Sequence, residues 1–300
     1  TLAHLFANWA AHEWFANNIA EARLHYREAC DLYEEAFRFG GQGYEIANSW
    51  GNSLTHMAEL EWEAGKTGRS QQLFREAWQK YEQALTITDE GYDAATNWGD
   101  ALVVLARLKR ENGNVEGTRA LLWKACEKYE HALAINKEGY DAATKWGRAL
   151  SDLGKLEAEN GDVSAARGFL QDGCRKYARA MKINNGYYWT AYSWGEALFE
   201  LANLEEYAGD QEAAASQLEE AERRFSQARE ISPGLANYWL ARVQARLGKE
   251  EQALKELKKV LPENKRLQKW ASTDPDMESL RGKEDLEQLI IREDGEEAAD

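Results

Sequence analysis

Proline is almost missing from this chain, 3 residues in 300, and none falls inside a stretch of helical periodicity, so nothing in the sequence breaks or kinks such a stretch. Basic residues are outnumbered: 37 Lys and Arg face 52 Asp and Glu, a net charge of −15. That balance opposes phosphate backbones and anionic lipid surfaces, which excludes nucleic acid and direct membrane insertion as expected partners. Long apolar runs are missing as well. No stretch approaches the roughly 18 to 20 residues that cross a bilayer, and the first 30 residues lack a basic start followed by an uninterrupted apolar core. The chain opens on Thr1 rather than Met, and an upstream segment is expected. A soluble, intracellular, reducing setting is the expected localisation, in cytoplasm or an organelle matrix.

Catalytic and cofactor chemistry is scarce in the same way. The 5 histidines form no two-His motif with a carboxylate at metal spacing, and read as surface or groove residues. Gly40-Gly41-x-Gly43 lies between two helices rather than after a strand, so it is a linker and not a phosphate loop. No Gly-x-Ser-x-Gly elbow occurs. Twelve tryptophans and many carboxylates raise the thought of a helical sugar-processing enzyme. Most of the tryptophans fall on a core stripe, however, and the acids on polar faces. The expectation is a non-enzymatic protein with no cofactor and no metal.

What the sequence does contain is a repeat. The stretch Ala125-Cys126-Glu127-Lys128-Tyr129-Glu130-His131-Ala132-Leu133 recurs, and Tyr129 has counterparts at Tyr33, Tyr81, Tyr177 and Phe225, each 48 residues from the next. Small residues flank each aromatic, such as Ala77 and Ala84 or Ala125 and Ala132. A second marker keeps the interval: Trp50-Gly51, Trp98-Gly99, Trp146-Gly147 and Trp194-Gly195. Such periodicity belongs to stacked units that contact only their neighbours. The cysteines 30, 126 and 174 occupy one repeat position, shared with Trp78. Equivalent residues of stacked units lie roughly 9 to 10 Å apart, beyond the limit of about 7 Å for Cα atoms joined by a disulfide. They read as buried small apolar residues.

Within one unit, Trp98, Ala101, Leu102, Leu105 and Leu108 form one helical stripe, Asn112-Gly113-Asn114 breaks it, and Leu122, Cys126, Tyr129, Ala132, Leu133 and Ile135 form a second. Each unit is therefore an antiparallel helix pair of about 20 residues per arm, roughly 30 Å long. Asn136-Lys137-Glu138-Gly139 and Thr88-Asp89-Glu90-Gly91 separate the units. The pattern Trp98-Gly99-x2-Leu102 followed by Ala125-x3-Tyr129-x2-Ala132 resembles the tetratricopeptide repeat (TPR), lengthened from 34 to 48 residues and similar to long-repeat arrays of bacterial proteins. The resemblance covers about residues 1 to 262. It implies an all-α fold, an α-solenoid of antiparallel helix hairpins in a right-handed superhelix with thirteen or fourteen helices. Residues 1–262 are expected to form five long hairpins, the first truncated, then one of standard length from Leu235 to Leu261. Residues 263–292 are expected to cap the array, with Asp274 and Pro275 starting a helix and Met277, Leu280, Leu286, Leu289 and Ile290 covering its end. Residues 293–300 are expected to be a disordered acidic tail.

In that family the first helix of each pair lines a concave groove, and the resemblance implies a protein-interaction scaffold holding a peptide or partner protein there. The groove positions are Glu45, Asn48 and Asn52, then Asp93, Thr96 and Asp100, then Asp141, Thr144 and Arg148. They do not reproduce the basic clamp with which relatives grip a C-terminal carboxylate, so chaperone-tail binding is not expected. Glu45, Asp93, Asp100 and Asp141 favour a partner with a basic segment. The fourth full unit breaks the pattern with Trp189, Tyr192, Glu196 and Phe199, and Tyr238 and Arg242 follow in the short unit. That cluster is expected to take an apolar anchor or to fill the step between long and short hairpins. The alternative function is a structural subunit or assembly factor packed into a larger or homo-oligomeric complex.

Overall fold

The computed structural model describes residues 2–40, 43–88 and 90–290. Gly41 of the linker, Asp89 of one break and the expected acidic tail 293–300 lie outside the described residues. Among the described residues the chain is all-helical, without a strand. In order come α1 (Leu2–Phe15), α2 (Ile19–Arg38), α3 (Tyr44–Glu63), α4 (Thr67–Ile87), α5 (Tyr92–Glu111), α6 (Val115–Ile135) and α7 (Tyr140–Glu159). There follow α8 (Val163–Ile183), α9 (Tyr188–Tyr207), α10 (Gln211–Ile231), α11 (Leu235–Arg246), α12 (Glu250–Val260), α13 (Lys265–Thr273), a 3₁₀ helix (Pro275–Leu280) and α14 (Glu284–Glu287). The chain divides into two compact units, Thr1–Ala149 and Leu150–Asp300, with the division falling inside α7. Consecutive helices pack as hairpins, α1 with α2, α3 with α4 and α5 with α6 in the first unit, and α9 with α10 and α11 with α12 in the second.

The hairpin turn is written in two residues. Gly113, Gly161 and Gly209 sit at φ of +71°, +82° and +83°, a left-handed conformation that ends a helix at no steric cost only for glycine. The next residue, Asn114, Asp162 or Asp210, turns its side-chain oxygen back to the second helix and accepts from the backbone N–H of Gly117, Ala165 or Ala213 at 2.9 Å. One residue stops the first helix and its neighbour caps the second.

The hairpins α3–α4, α5–α6 and α9–α10 close on an aromatic against a glycine. Tyr33, Tyr81, Tyr129, Tyr177 and Phe225 are fully buried. A Cβ at Gly51 would lie 2.6 Å from the Tyr81 ring, one at Gly99 2.5 Å from Tyr129, and one at Gly195 2.8 Å from Phe225. Two of the hydroxyls are held too: Tyr81 donates to Asn52 Oδ1 at 2.8 Å and Tyr129 to Asp100 Oδ1 at 2.7 Å. Burial pushes both phenols far above the usual range, and the Asp100 carboxylate adds to the shift at Tyr129. The tryptophan beside each glycine is roofed by a cation from the second helix of its own hairpin. Lys80 Nζ stands 3.7 Å from the Trp50 ring centre, Lys128 Nζ 3.5 Å from Trp98, and the Arg224 guanidinium 3.6 Å from Trp194. These cation–π contacts are worth about 0.5 to 2 kcal/mol each, and partial burial holds Lys80 and Lys128 below the usual ammonium range. The three cysteines form no disulfide, Cys30 and Cys126 lying buried and Cys174 half-buried. Burial pushes the thiols of Cys30 and Cys174 up to about 12, which suits their reading as inert core residues.

The last hairpin is short in both arms, 12 residues in α11 and 11 in α12 against 20 and 21 in α9 and α10. It carries a buried carboxylate, Glu256, which accepts from Asn237 Nδ2 at 2.6 Å, Arg229 Nη1 at 3.0 Å and Lys259 Nζ at 2.9 Å. Burial alone would raise this carboxyl, but the bonds from Lys259 and Asn237 and the charges of Lys259 and Arg229 prevail and hold it below 4.5. A depressed carboxyl stabilises the fold above its unfolded value and loses that contribution as pH falls through the folded one. Glu256→Gln is accordingly expected to cost about 1 to 3 kcal/mol at pH 7, and the gap to the parent protein should close below pH 4.5, read as urea midpoints across pH.

Beyond α12, Met277, Leu280 and Leu286 are fully buried with Tyr238, Leu257 and Val260 of α11 and α12, and Leu289 and Ile290 pack against the same cluster. Asp274 caps as the sequence indicates, its Oδ1 accepting from the Asp276 N–H at 3.0 Å. The segment after Pro275 is a six-residue 3₁₀ helix rather than an α-helix.

Candidate functional site

The residues expected to line a groove lie on first helices, nine in the first unit and six in the second. In the first unit the starts of α5 and α7 are held by the preceding hairpin. The Tyr44 hydroxyl accepts from the Ala94 N–H of α5 at 3.0 Å, and the Tyr92 hydroxyl from the Ala142 N–H of α7 at 3.3 Å. Those amides are among the orphan donors of a helix N-terminus. The residue at the N-cap of α5 is a glycine with no side chain to offer, Gly91, and a Cβ at the equivalent Gly139 would lie 2.4 Å from the Tyr92 hydroxyl. The hydroxyl stands where a capping side chain would otherwise sit.

Along the same face, side chains of successive first helices join. Asn97 donates to Asn48 Oδ1 at 3.0 Å, Lys145 pairs with Asp100 at 2.7 Å, and Arg107 with Glu59 at 3.2 Å. Tyr92 donates to Asp141. Asn48, Thr96 and Thr144 are buried, the two threonines turning their hydroxyls back to the carbonyls of Tyr92 and Tyr140 at 2.9 and 2.8 Å. Glu45, Asp93 and Arg148 are exposed. Of the four carboxylates expected to meet a basic partner, Asp100 is thus taken by Lys145 and Tyr129, and Asp141 by Tyr92. Glu45 and Asp93 stand open in the first turns of α3 and α5, where the helix dipole favours an anion. A cleft of about 210 Å³ lies between α3 and α5, lined by Asn52, His56, Glu59, Asn97, Asp100 and Val104 among others.

In the second unit the aromatic departures form a packed column. Tyr192 lies 5.5 Å from Tyr188 and 5.8 Å from Phe225, Phe199 lies 5.3 Å from Trp239, and Trp239 stacks on Phe225 at 5.4 Å. Tyr192, Phe199 and Tyr238 are buried, whereas Trp189 is 46% exposed. Burial, then the Glu196 carboxylate, push the Tyr192 phenol far up. Phe225 lacks the hydroxyl that Tyr81 and Tyr129 donate, and Tyr192 brings one to Glu196 instead. Tyr238 and Arg242 meet the 3₁₀ segment: Tyr238 donates to Asp274 Oδ2 at 2.8 Å, and Arg242 pairs with Asp274 at 3.0 Å and Asp276 at 2.5 Å.

Among the described residues no group of three or more His, Cys, Asp and Glu is placed to hold a metal ion, and no helix is long and apolar enough to cross a membrane. The tyrosine links at the helix starts were missed in the sequence, although the dipeptides Gly43-Tyr44, Gly91-Tyr92 and Gly139-Tyr140 carry their signal.

Several solved structures are similar to this one. BtubC (BKLC) from P. vanneervenii is 16% identical with a TM-score of 0.50, covering 83% of this chain and 91% of its own. TTC0263, a thermophilic TPR protein in Thermus thermophilus, is 17% identical at a TM-score of 0.45, over 74% of this chain and 97% of its own. This chain is a TPR-like helical repeat array. YrrB, described as a TPR protein with an unusual peptide-binding site, is 20% identical at a TM-score of 0.44, over 78% of this chain and 92% of its own. No family model matches the sequence, and no curated protein does. The TPR-like array here differs from the 34-residue pattern by the longer arms of α3 to α10, which place additional side chains on those first-helix faces.

Proposed function

We propose that this TPR-like array is a protein-interaction scaffold that holds an extended, basic segment of a partner protein along the first helices of its first unit. The observation that carries the reading is the pair Glu45 and Asp93, one repeat apart, exposed in the first turns of neighbouring first helices while the residues between them are tied to each other. A polar face already cross-linked within itself is rigid before binding, so little ordering cost falls on the scaffold. The half-exposed ring of Trp189, in the second unit, supports an apolar contact of its own with the partner. Retention of a partner on the immobilised full chain is expected at low salt and to fall several-fold at high salt, as exposed charge contacts are screened. Glu45→Gln with Asp93→Asn should reproduce the high-salt loss. Retention that ignores both salt and the double substitution would remove the basic segment from the reading.

A further inference from the structure

The ends of the first helices break the repeat in one place. Where α3 and α5 have Trp62 and Arg110, α7 has Ala158; where α3, α5 and α9 have Ala58, Ala106 and Ala202, it has Gly154. Where α3, α5 and α7 close on Glu63, Glu111 and Glu159, α9 closes on Tyr207. Ala158 and Tyr207 line one cleft of about 320 Å³ within the second unit, and Gly154 shapes its floor. A Cβ at Gly154 would lie 2.7 Å from Leu170 Cγ, so glycine there lets Leu170 of α8 rise against α7. Leu170 and Leu204 are buried, Val163 is half-buried, and together with Ala158 they make an aliphatic floor. The Tyr207 ring is 82% exposed at the mouth, an unusual display of apolar surface where the equivalent positions carry a charge.

The rim is polar and balanced. Lys155 Nζ lies 3.7 Å from Glu200 Oε1. Asn203 donates to Glu200 Oε2 at 3.2 Å and accepts from Arg246 Nη1 at 2.6 Å. With each charge answered by its neighbour, the mouth favours a neutral occupant over an ion. Lys155 and Glu200, each about one-third exposed, set a donor beside an acceptor at the edge, the complement of a peptide's C=O and N–H. A volume of this size stands at the lower end for small-ligand sites of about 300 to 1,000 Å³, enough for one side chain with its adjoining amides.

We propose that this cleft is a side-chain pocket for a leucine-like, branched aliphatic residue of a bound peptide, with the Tyr207 ring closing over it and Lys155 and Glu200 meeting the flanking amides. The assignment rests on the reading of the chain as a protein-interaction scaffold, but its test needs no natural partner. The full chain, carrying ¹³C-labelled methyl groups, is titrated with N-acetyl-leucine N-methylamide, with the corresponding lysine amide and with octanoate. Expected are saturable shifts of the Val163, Leu170 and Leu204 methyls with the leucine probe alone. Ala158→Trp installs the residue that α3 carries at this position and is expected to abolish the shifts while the methyl spectrum of the first unit stays in place. Tyr207→Glu, which alters only an exposed ring, is expected to weaken binding several-fold. The absence of saturable shifts with the leucine probe overturns the proposal, as does their survival in Ala158→Trp or saturation by octanoate in preference. Those outcomes leave the salt dependence of partner retention untouched, so failure of the pocket and failure of the scaffold reading are told apart.

Discussion

Gly99→Ala is expected to lower stability by about 1 to 3 kcal/mol, the range in which overpacking falls, although it adds a single methyl group to a helix. In an exposed helix the same exchange gains about 0.5 to 1 kcal/mol. The sign reverses because the new Cβ would stand 2.5 Å from Cε1 of Tyr129, a ring that is fully buried and fixed through its hydroxyl to Asp100. The ring cannot swing away without breaking that bond, so the helices must part. Gly168 in α8 has nothing within 4 Å of its built Cβ, and Gly168→Ala is expected to stabilise by the ordinary amount. Urea midpoints of the two variants should move in opposite directions. If both rise, the close crossing at Gly99 is not what selects glycine there.

Arg242→Ala is expected to have a still larger effect, confined to the C-terminal segment. Its guanidinium is 18% exposed and pairs with Asp274 and Asp276, whose side chains are 9% and 15% exposed. Removing the main partner from such a buried set costs about 3 to 5 kcal/mol, since Asp276 then keeps only the more distant Arg246, 3.7 Å away. Burial already holds the Asp276 carboxyl above its ordinary 3.8, with Arg242 pulling it down. Without Arg242 the carboxyl moves further up. A group whose folded value is raised binds its proton more tightly in the fold, so its contribution is favourable at low pH and is lost as pH rises through that value. The deficit of Arg242→Ala should therefore be full at pH 7 and shrink on acidification. Hydrogen exchange across the 3₁₀ helix and α14 reads it directly. Protection in the variant equal to that of the parent at pH 7 would mean that the apolar contacts of Met277, Leu280 and Leu286 hold the segment alone.

The helical hairpins were legible because their determinants are local or strictly periodic. Gly113-Asn114 states a turn and a cap in two residues, and the 48-residue interval pairs Gly99 with Tyr129 from the sequence alone. The faces of individual side chains were less legible. Thr96 and Thr144 occupy groove positions by spacing, yet a threonine in a helix can bond to the carbonyl four residues back, and both do so and are buried. Asp100 is exposed by pattern and is claimed by Lys145, 45 residues away. Tyr192 and Phe199 are read as surface departures only if the next hairpin matches the last. The shorter α11 brings Trp239 against Phe225 and Phe199, and the row becomes core. Of the aromatic cluster, Trp189 retains the exposure its position implies.

The tyrosine links at the helix starts give the first unit a direction. Tyr44 serves an amide of α5 and Tyr92 an amide of α7, each hairpin closing the helix start of the one that follows. Losing α3 strips α5 of a bond at its first turn, whereas losing α5 leaves the first turn of α3 as it was. In these bonds fraying of the unit is polar: an opening at the N-terminal side also releases the helix start that follows, and one at the C-terminal side leaves the earlier helix start as it was.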